Sequence, residues 1–242
     1  MIKKSHPRYK SLVTRHLVQE GVKKGITSLQ GLIAQGRGEA FDYLLGEKTN
    51  EFAKKSIEAA AALLLLAKHP VISVNGNSAI LSAKDIVYLA RLTNADIEVN
   101  IFNSSKQREI KIKNYLIDNG VKKVLMPSYK CKIKHLESNR KYVNREGIYN
   151  ADVVFVLLED GDRTEALVKN GKKVIAVDIN PLSRTSKKAT ITIIDNITRC
   201  IPMISIAVKK LRKKGKLDMV IKNYDNKKML KSSLKYMLKN LS

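Results

Sequence analysis

DVVFVLLEDGDRTEALVKNGKKVIAVDINPLSRTS, residues 152–186, decides the fold. It opens on an apolar run, turns through Glu159-Asp160-Gly161-Asp162-Arg163 and continues in a helical pattern over 163–170. A second apolar run, KVIAV (173–177), then ends in Asp178-Ile179-Asn180-Pro181. Unbroken runs of Val, Ile and Leu suit strands covered on both faces. Strand, helix and strand in succession form the unit of a parallel sheet.

The same rhythm holds on either side. VISV (71–74), IEVNIF (97–102), KVLM (123–126) and ATITII (189–194) read as further strands, with helical patterns at 82–93, 104–119 and from 196 to about 213. Residues 127–150 are polar and irregular and read as an excursion over the sheet edge. The first 70 residues read as helical: Leu12, Val13, His16, Leu17 and Glu20 share a helical spacing, with Gly25 as the stop. Thr27-Ser28 starts a short helix, Glu39 to Leu45 forms another, and Thr49-Asn50 caps a long one that ends before His69-Pro70. The expected fold is α/β and Rossmann-like, a mostly parallel sheet with helices on both faces (71–213). A helical amino-terminal region (1–70) and a basic helical tail (214–242) complete one domain.

Composition narrows the function. The formal net charge is +24, and residues 203–242 carry twelve Lys or Arg against two Asp. Such a field attracts nucleic acids and anionic metabolites alike. Lysine dominates the tail, which favours a solvated face, and the chain has few aromatics for stacking bases and no known nucleic-acid module. A non-catalytic nucleotide-binding or nucleic-acid-binding protein remains the alternative to an enzyme. AAALLLLA (60–67) is too short to span a bilayer and reads as a buried helix. The start of the chain has no apolar signal pattern, and Cys131 and Cys200 form no CxxC, which points to the cytoplasm. Cys131 and His135 lack the second ligand pair that zinc needs.

In parallel sheets, ligands bind beyond the carboxyl ends of the strands. Four strands end in polar turns: Asn75-Gly76-Asn77-Ser78, Glu159 to Arg163, Asp178 to Pro181, and Asp195-Asn196. Backbone N–H groups of the first turn can hold a phosphate or carboxylate. Asp178 can hold ribose hydroxyls, and Arg184 can pair with phosphate. The blander readings are ordinary turns, with Asp162 as a helix N-cap and Glu165 three residues on. No GxxxxGK[ST] or strand-linked GxGxxG occurs. Arg37 sits between Gly36 and Gly38, a bracket that frees the backbone to turn and an anion to come close. These features point to a phosphorylated, nucleotide-like ligand.

Several stretches resemble one family: residues 5–49, VNGN (74–77), LEDGDRTEAL (158–167), DINPLSRTS (178–186) and IDNITR (194–199). They are similar to archaeal phosphopantothenate synthetase, the 4-phosphopantoate–β-alanine ligase family of coenzyme A biosynthesis. The resemblance runs from about residue 2 to about 210. It implies an ATP-dependent, Mg²⁺-assisted ligase that joins 4-phosphopantoate to β-alanine through an acyl adenylate, releasing AMP and diphosphate. It implies ATP contacts at Arg15, Arg37, Asp178, Ile179, Asn180, Arg184, Thr185, Asn196 and Ile197, with Arg37 and Arg184 acting in catalysis. The rim position adds Asn75, Gly76 and Asn77 as phosphopantoate or phosphate contacts. The resemblance also implies a homodimer. Beyond the second strand it leads one to expect an aromatic and an Arg together, where this chain reads IFNSSKQRE (101–109). The tail after 215 has no counterpart in it.

Overall fold

The computed structural model describes residues 2–103 and 105–239. Three helices come first, α1 (Tyr9–Lys23), α2 (Leu29–Leu44) and α3 (Glu51–Leu66). Then follow β1 (Pro70–Val74), α4 (Gly76–Thr93), β2 (Asp96–Val99), α5 (Lys106–Asp118), β3 (Ser128–Lys132) and β4 (Tyr142–Val143). After these come β5 (Val153–Leu157), α6 (Gly161–Lys169), β6 (Lys173–Val177), α7 (Arg184–Lys188), β7 (Ile191–Ile193) and α8 (Ile197–Lys214). The tail forms α9 (Leu217–Lys222) and α10 (Asn226–Lys239). Residue 104 and residues 240–242 of the expected helices lie outside the described residues.

The main sheet is parallel, in the order β2-β1-β5-β6-β7. Alternate residues of each strand enter opposite cores, as the pleat requires. Ile72, Val74, Phe155, Leu157, Ile175 and Val177 meet α3, α4 and α8. Val71, Val154, Val156, Val174 and Ala176 meet the second layer.

Two sequence expectations need correction here. KVLM is no strand: only Leu125 pairs, as a single bridge to Glu98 with N···O distances of 2.8 and 3.0 Å. Pro127 follows two residues later and has no N–H with which to extend a ladder. Residues 127–150 do more than cross an edge. Cys131, Ile133, Leu136, Val143 and Ile148 join the second core, so this segment covers a sheet face beside α6. Its antiparallel β3–β4 pair and a turn over 145–149 are held by Glu98, which accepts from the N–H groups of Asn144 and Ile148.

The tail is part of the fold. Met229, Leu230 and Met237 of α10 pack with Leu45, Phe52, Ala53 and Ile194. Asn226 Oδ1 accepts from Thr192 N of β7 at 2.8 Å, which satisfies a donor on that edge strand. Lysines therefore occupy the outer face of α10 while its apolar stripe is covered.

The amino-terminal helices are seated over the carboxyl end of the sheet. Asn77 Nδ2 donates to Gly31 O of α2 at 2.8 Å. Gly76 lies so close to the α1–α2 turn that a Cβ there would stand 2.3 Å from Ile26 O. Under the rim, Glu159 joins the buried guanidinium groups of Arg140 and Arg163. Burial opposes the charges of Glu159 and Arg163, and the attraction of Glu159 for the two guanidinium groups offsets that cost.

Both features are testable by denaturation. Gly76→Ala must push the turn away, and overpacking of this kind costs about 1–3 kcal/mol; the thermal midpoint should fall by several degrees. Glu159→Gln leaves the buried Arg163 without its counter-charge. It should lower unfolding free energy by about 3–5 kcal/mol in urea melts.

Candidate functional site

Strand order reverses between β1 and β5. β1 leads outward to β2, while β5 leads to β6 and β7 on the other side. A crevice forms at such a switch point. Here it is a cavity of about 670 Å³, floored by the strand ends and roofed by α2. Arg37, Asn75, Gly76, Asn77, Asp178, Ile179, Asn180, Arg184, Thr185, Asn196 and Ile197 all line it. Arg15 is the one expected contact that is not among the lining residues. It pairs instead with Glu39 at 2.6 Å.

The local sequence explains why the rim is open to anions. The N-cap residues of α4, α6, α7 and α8 are Asn75, Asp160, Ser183 and Asn196, and all four line the cavity. Each side chain accepts from a first-turn amide, so each helix begins at the rim. The remaining first-turn amides and the helix dipoles make this end of the sheet electropositive. Among the described residues, no lysine, histidine or cysteine lines the cavity.

Several residues expected to touch ligand also build the rim. Asn75 Nδ2 donates to Leu157 O at 2.7 Å and Leu158 O at 3.1 Å. Asn77 is shared between Gly31 O and the Thr27 hydroxyl. Asp178 accepts from Asn180 N at 2.9 Å and from the Ser183 hydroxyl. Burial raises its carboxyl above the ordinary range; its hydrogen bonds and the nearby Arg37 charge act the other way. Thr185 Oγ1 donates to Glu159 O at 2.9 Å. Asn196 Nδ2 donates to Asp42 of α2 at 3.1 Å. Asp42 also meets Arg199, which binds Asp195 in turn, so an ionic chain ties roof to rim.

Arg37 lies within α2, not in a turn. The helix runs unbroken through both glycines, where two short helices were expected. A Cβ at Gly36 would meet nothing within 4 Å, and one at Gly38 only Ile179 Cγ2 at 3.9 Å. The bracket therefore leaves the helix face beside Arg37 bare. Arg37 has no carboxylate within ion-pair distance among the described residues. Arg184 differs: its guanidinium is engaged by Asp162 and Glu165 at the exposed edge. Together with Lys169 and Lys188, it holds the Glu165 carboxyl down at about 2.

The expected cap at Asp162 is also corrected. Asp160 caps α6, accepting from Arg163 N at 2.8 Å. Leu158 has a φ of 54°, which bends the chain sharply after β5, turns Glu159 inward and starts the helix two residues early. Sequence reasoning missed Arg108, Arg140 and Phe102, which also line the cavity. Arg140 comes from the segment read as an excursion, and its position carried no local signal. The stretch IFNSSKQRE, which follows the second strand, delivers Phe102 and Arg108 to the wall.

The profile of the phosphopantothenate/pantothenate synthetase family matches residues 52–240, which includes the tail that seemed to lack a counterpart. A 4-phosphopantoate–beta-alanine ligase of Methanosarcina mazei is 50% identical over 231 residues, covering 95% of this chain and 91% of that protein. Another from Methanospirillum hungatei is 51% identical over 205 residues, covering 85% and 84%. A third from Thermococcus onnurineus is 48% identical over 236 residues, covering 96% and 90%. Long alignments at this identity, to archaeal proteins of one name, leave a single assignment: the chain belongs to the phosphopantothenate/pantothenate synthetase family.

Proposed function

We propose that this chain is an ATP-dependent 4-phosphopantoate–β-alanine ligase of coenzyme A biosynthesis. The carboxylate oxygen of 4-phosphopantoate attacks the α-phosphorus of ATP, and diphosphate leaves. The amine of β-alanine then attacks the acyl carbon, an amide forms, and AMP leaves with release of a proton. Such chemistry requires two polyanions to be held in line and their charge to be offset. It requires no nucleophilic side chain. The observation that carries the reading is the cavity itself: helix first turns and Arg37 converge on it, and its described wall offers no histidine, cysteine or lysine.

Within this reading, ATP lies over the β6–β7 side. Asp178, Ile179 and Asn180 meet the nucleoside, while Thr185, Asn196 and Ile197 border the phosphates. Arg37, free of ion pairs among the described residues, meets the phosphate that develops charge. Arg184 exchanges its carboxylate partners Asp162 and Glu165 for ATP oxygens when nucleotide binds. Asn75, Gly76 and Asn77 present the first amides of α4 to the acid substrate. Among the described residues no three acidic, histidine or cysteine side chains cluster as a metal cage. A Mg²⁺ carried in on the nucleotide phosphates suits this wall, and it would spread their negative charge.

We further propose a cytoplasmic homodimer. No described helix is long and apolar enough to cross a membrane. Leu17, Leu29, Ile33 and Tyr43 are exposed on α1 and α2, which supports a covering partner there. In a dimer, Arg15 would reach nucleotide across the interface. Sedimentation equilibrium should return twice the chain mass; a monomer at assay concentration would remove this part of the reading.

The ligase reading is tested with ATP, Mg²⁺, 4-phosphopantoate and β-alanine, separating AMP from ADP. AMP and phosphopantothenate should appear together, and only when 4-phosphopantoate is present. ADP would replace the adenylate by an acyl phosphate, and absence of turnover with ATP bound would point to non-catalytic nucleotide binding. Arg37→Ala should lower kcat/KM by about 10²-fold or more. Its melting temperature should hardly move, because among the described residues Arg37 makes no ion pair to lose.

A further inference from the structure

Four arginines line the cavity: Arg37, Arg108, Arg140 and Arg184. Their charges are not equally available. Arg140 is buried and neutralised by Glu159 and by Asp160 at 2.8 Å, and its other donors go to Asn100. Arg184 is neutralised by Asp162 and Glu165. Among the described residues, neither Arg37 nor Arg108 has a carboxylate within ion-pair distance. Two open positive charges thus face one cavity, on different elements.

They serve opposite ends. Arg37 belongs with Asp178, whose carboxyl feels its charge. Arg108 lies on α5 just beyond β2, at the other edge of the sheet. Three strand intervals separate β2 from β6, which is about 14 Å at the usual spacing of about 4.8 Å. Arg108 is half-buried, and its Nη2 donates to the carbonyl of Asn103. Burial pushes its guanidinium down, and the charge of the neighbouring Glu109 acts the other way. Beside it the wall turns apolar, with Leu81, Ile101 and Phe102.

This inference rests on the ligase reading above and deepens it. 4-Phosphopantoate is a short acid with a carboxylate at one end, a phosphate at the other and two methyl groups between. Its carboxylate must reach the α-phosphate of ATP on the β6–β7 side, so its own phosphate points away, toward β2. We propose that Arg108 receives the phosphate of 4-phosphopantoate, with Leu81, Ile101 and Phe102 against its methyl groups. Arg108 is then the residue that distinguishes the phosphorylated acid from plain pantoate.

The test compares wild type, Arg108→Ala and Arg108→Lys with 4-phosphopantoate and with pantoate as the acid. Loss of a charge-assisted phosphate contact should raise KM for 4-phosphopantoate by roughly 10–100-fold in Arg108→Ala. KM for ATP should stay within about twofold, and Arg108→Lys should recover part of the loss. Any turnover with pantoate should be unchanged, because that acid lacks the group Arg108 would bind. Equal loss with both acids would mark Arg108 as merely structural, and a raised KM for ATP would make it a nucleotide contact. Either result overturns the proposal. Calorimetric titration of 4-phosphopantoate tests the site without turnover. Weaker binding to Arg108→Ala than to wild type supports Arg108 even if no ligase product forms. Equal binding, or none to wild type, overturns it.

Discussion

Asn75 ties the end of β1 to the end of β5 with one side chain. β1 and β5 are paired neighbours, yet the chain leaves them for opposite sides of the sheet at the switch point. The carbonyls of Leu157 and Leu158 lie where the chain leaves the ladder, and such groups need donors. The Asn75 amide supplies both bonds, while its oxygen caps α4. The crevice is thereby kept open at one width. The cavity, its four helix starts and the seat for α2 follow from that spacing.

Charge is sorted by residue type across the molecule. The net charge of +24 is a property of the exterior, where lysine stems lie along exposed helices. The described cavity wall uses arginine, backbone amides and capped helix starts instead. Lysine is a mobile, strongly hydrated point charge, whereas a guanidinium can be fixed by planar hydrogen bonds. A positive exterior attracts anions in general, whereas arginines fixed in the wall present their charge at set positions. The basic tail needs no nucleic-acid partner in this picture, since α10 closes the β7 edge.

Much of the fold is legible in the sequence because its strands are buried on both faces. Val-rich runs such as 153–157 and 173–177 admit few other readings. The rim was legible for the same reason, since each run ends in a cap or turn residue. Individual roles within the rim were harder to read. Asp160 and Asp162 are equivalent as local caps, and only the bend at Leu158 selects between them. Glycines around Arg37 resemble a turn locally, yet α2 runs through them unbroken and is seated by the hydrogen bond at Gly31. Arg140 reaches the wall through a segment without periodicity. Arg108 lies on a regular helix whose cavity position depends on where α5 starts. Such placements are set by packing between distant segments, which a local pattern does not encode.

The roof is made before anything exists to carry it. α1 and α2 bury only Val18, Gly21 and Asp42. Their anchors, Asn77 and the Asp195–Arg199 pair, emerge later in synthesis. A helix pair with so little buried surface has a weak fold of its own. During translation it must wait for the sheet, and the cavity closes only after α8 has formed. The same dependence runs backward on heating: the roof is the part with least to lose. Local opening there would dissolve the binding site while the sheet beneath stays folded.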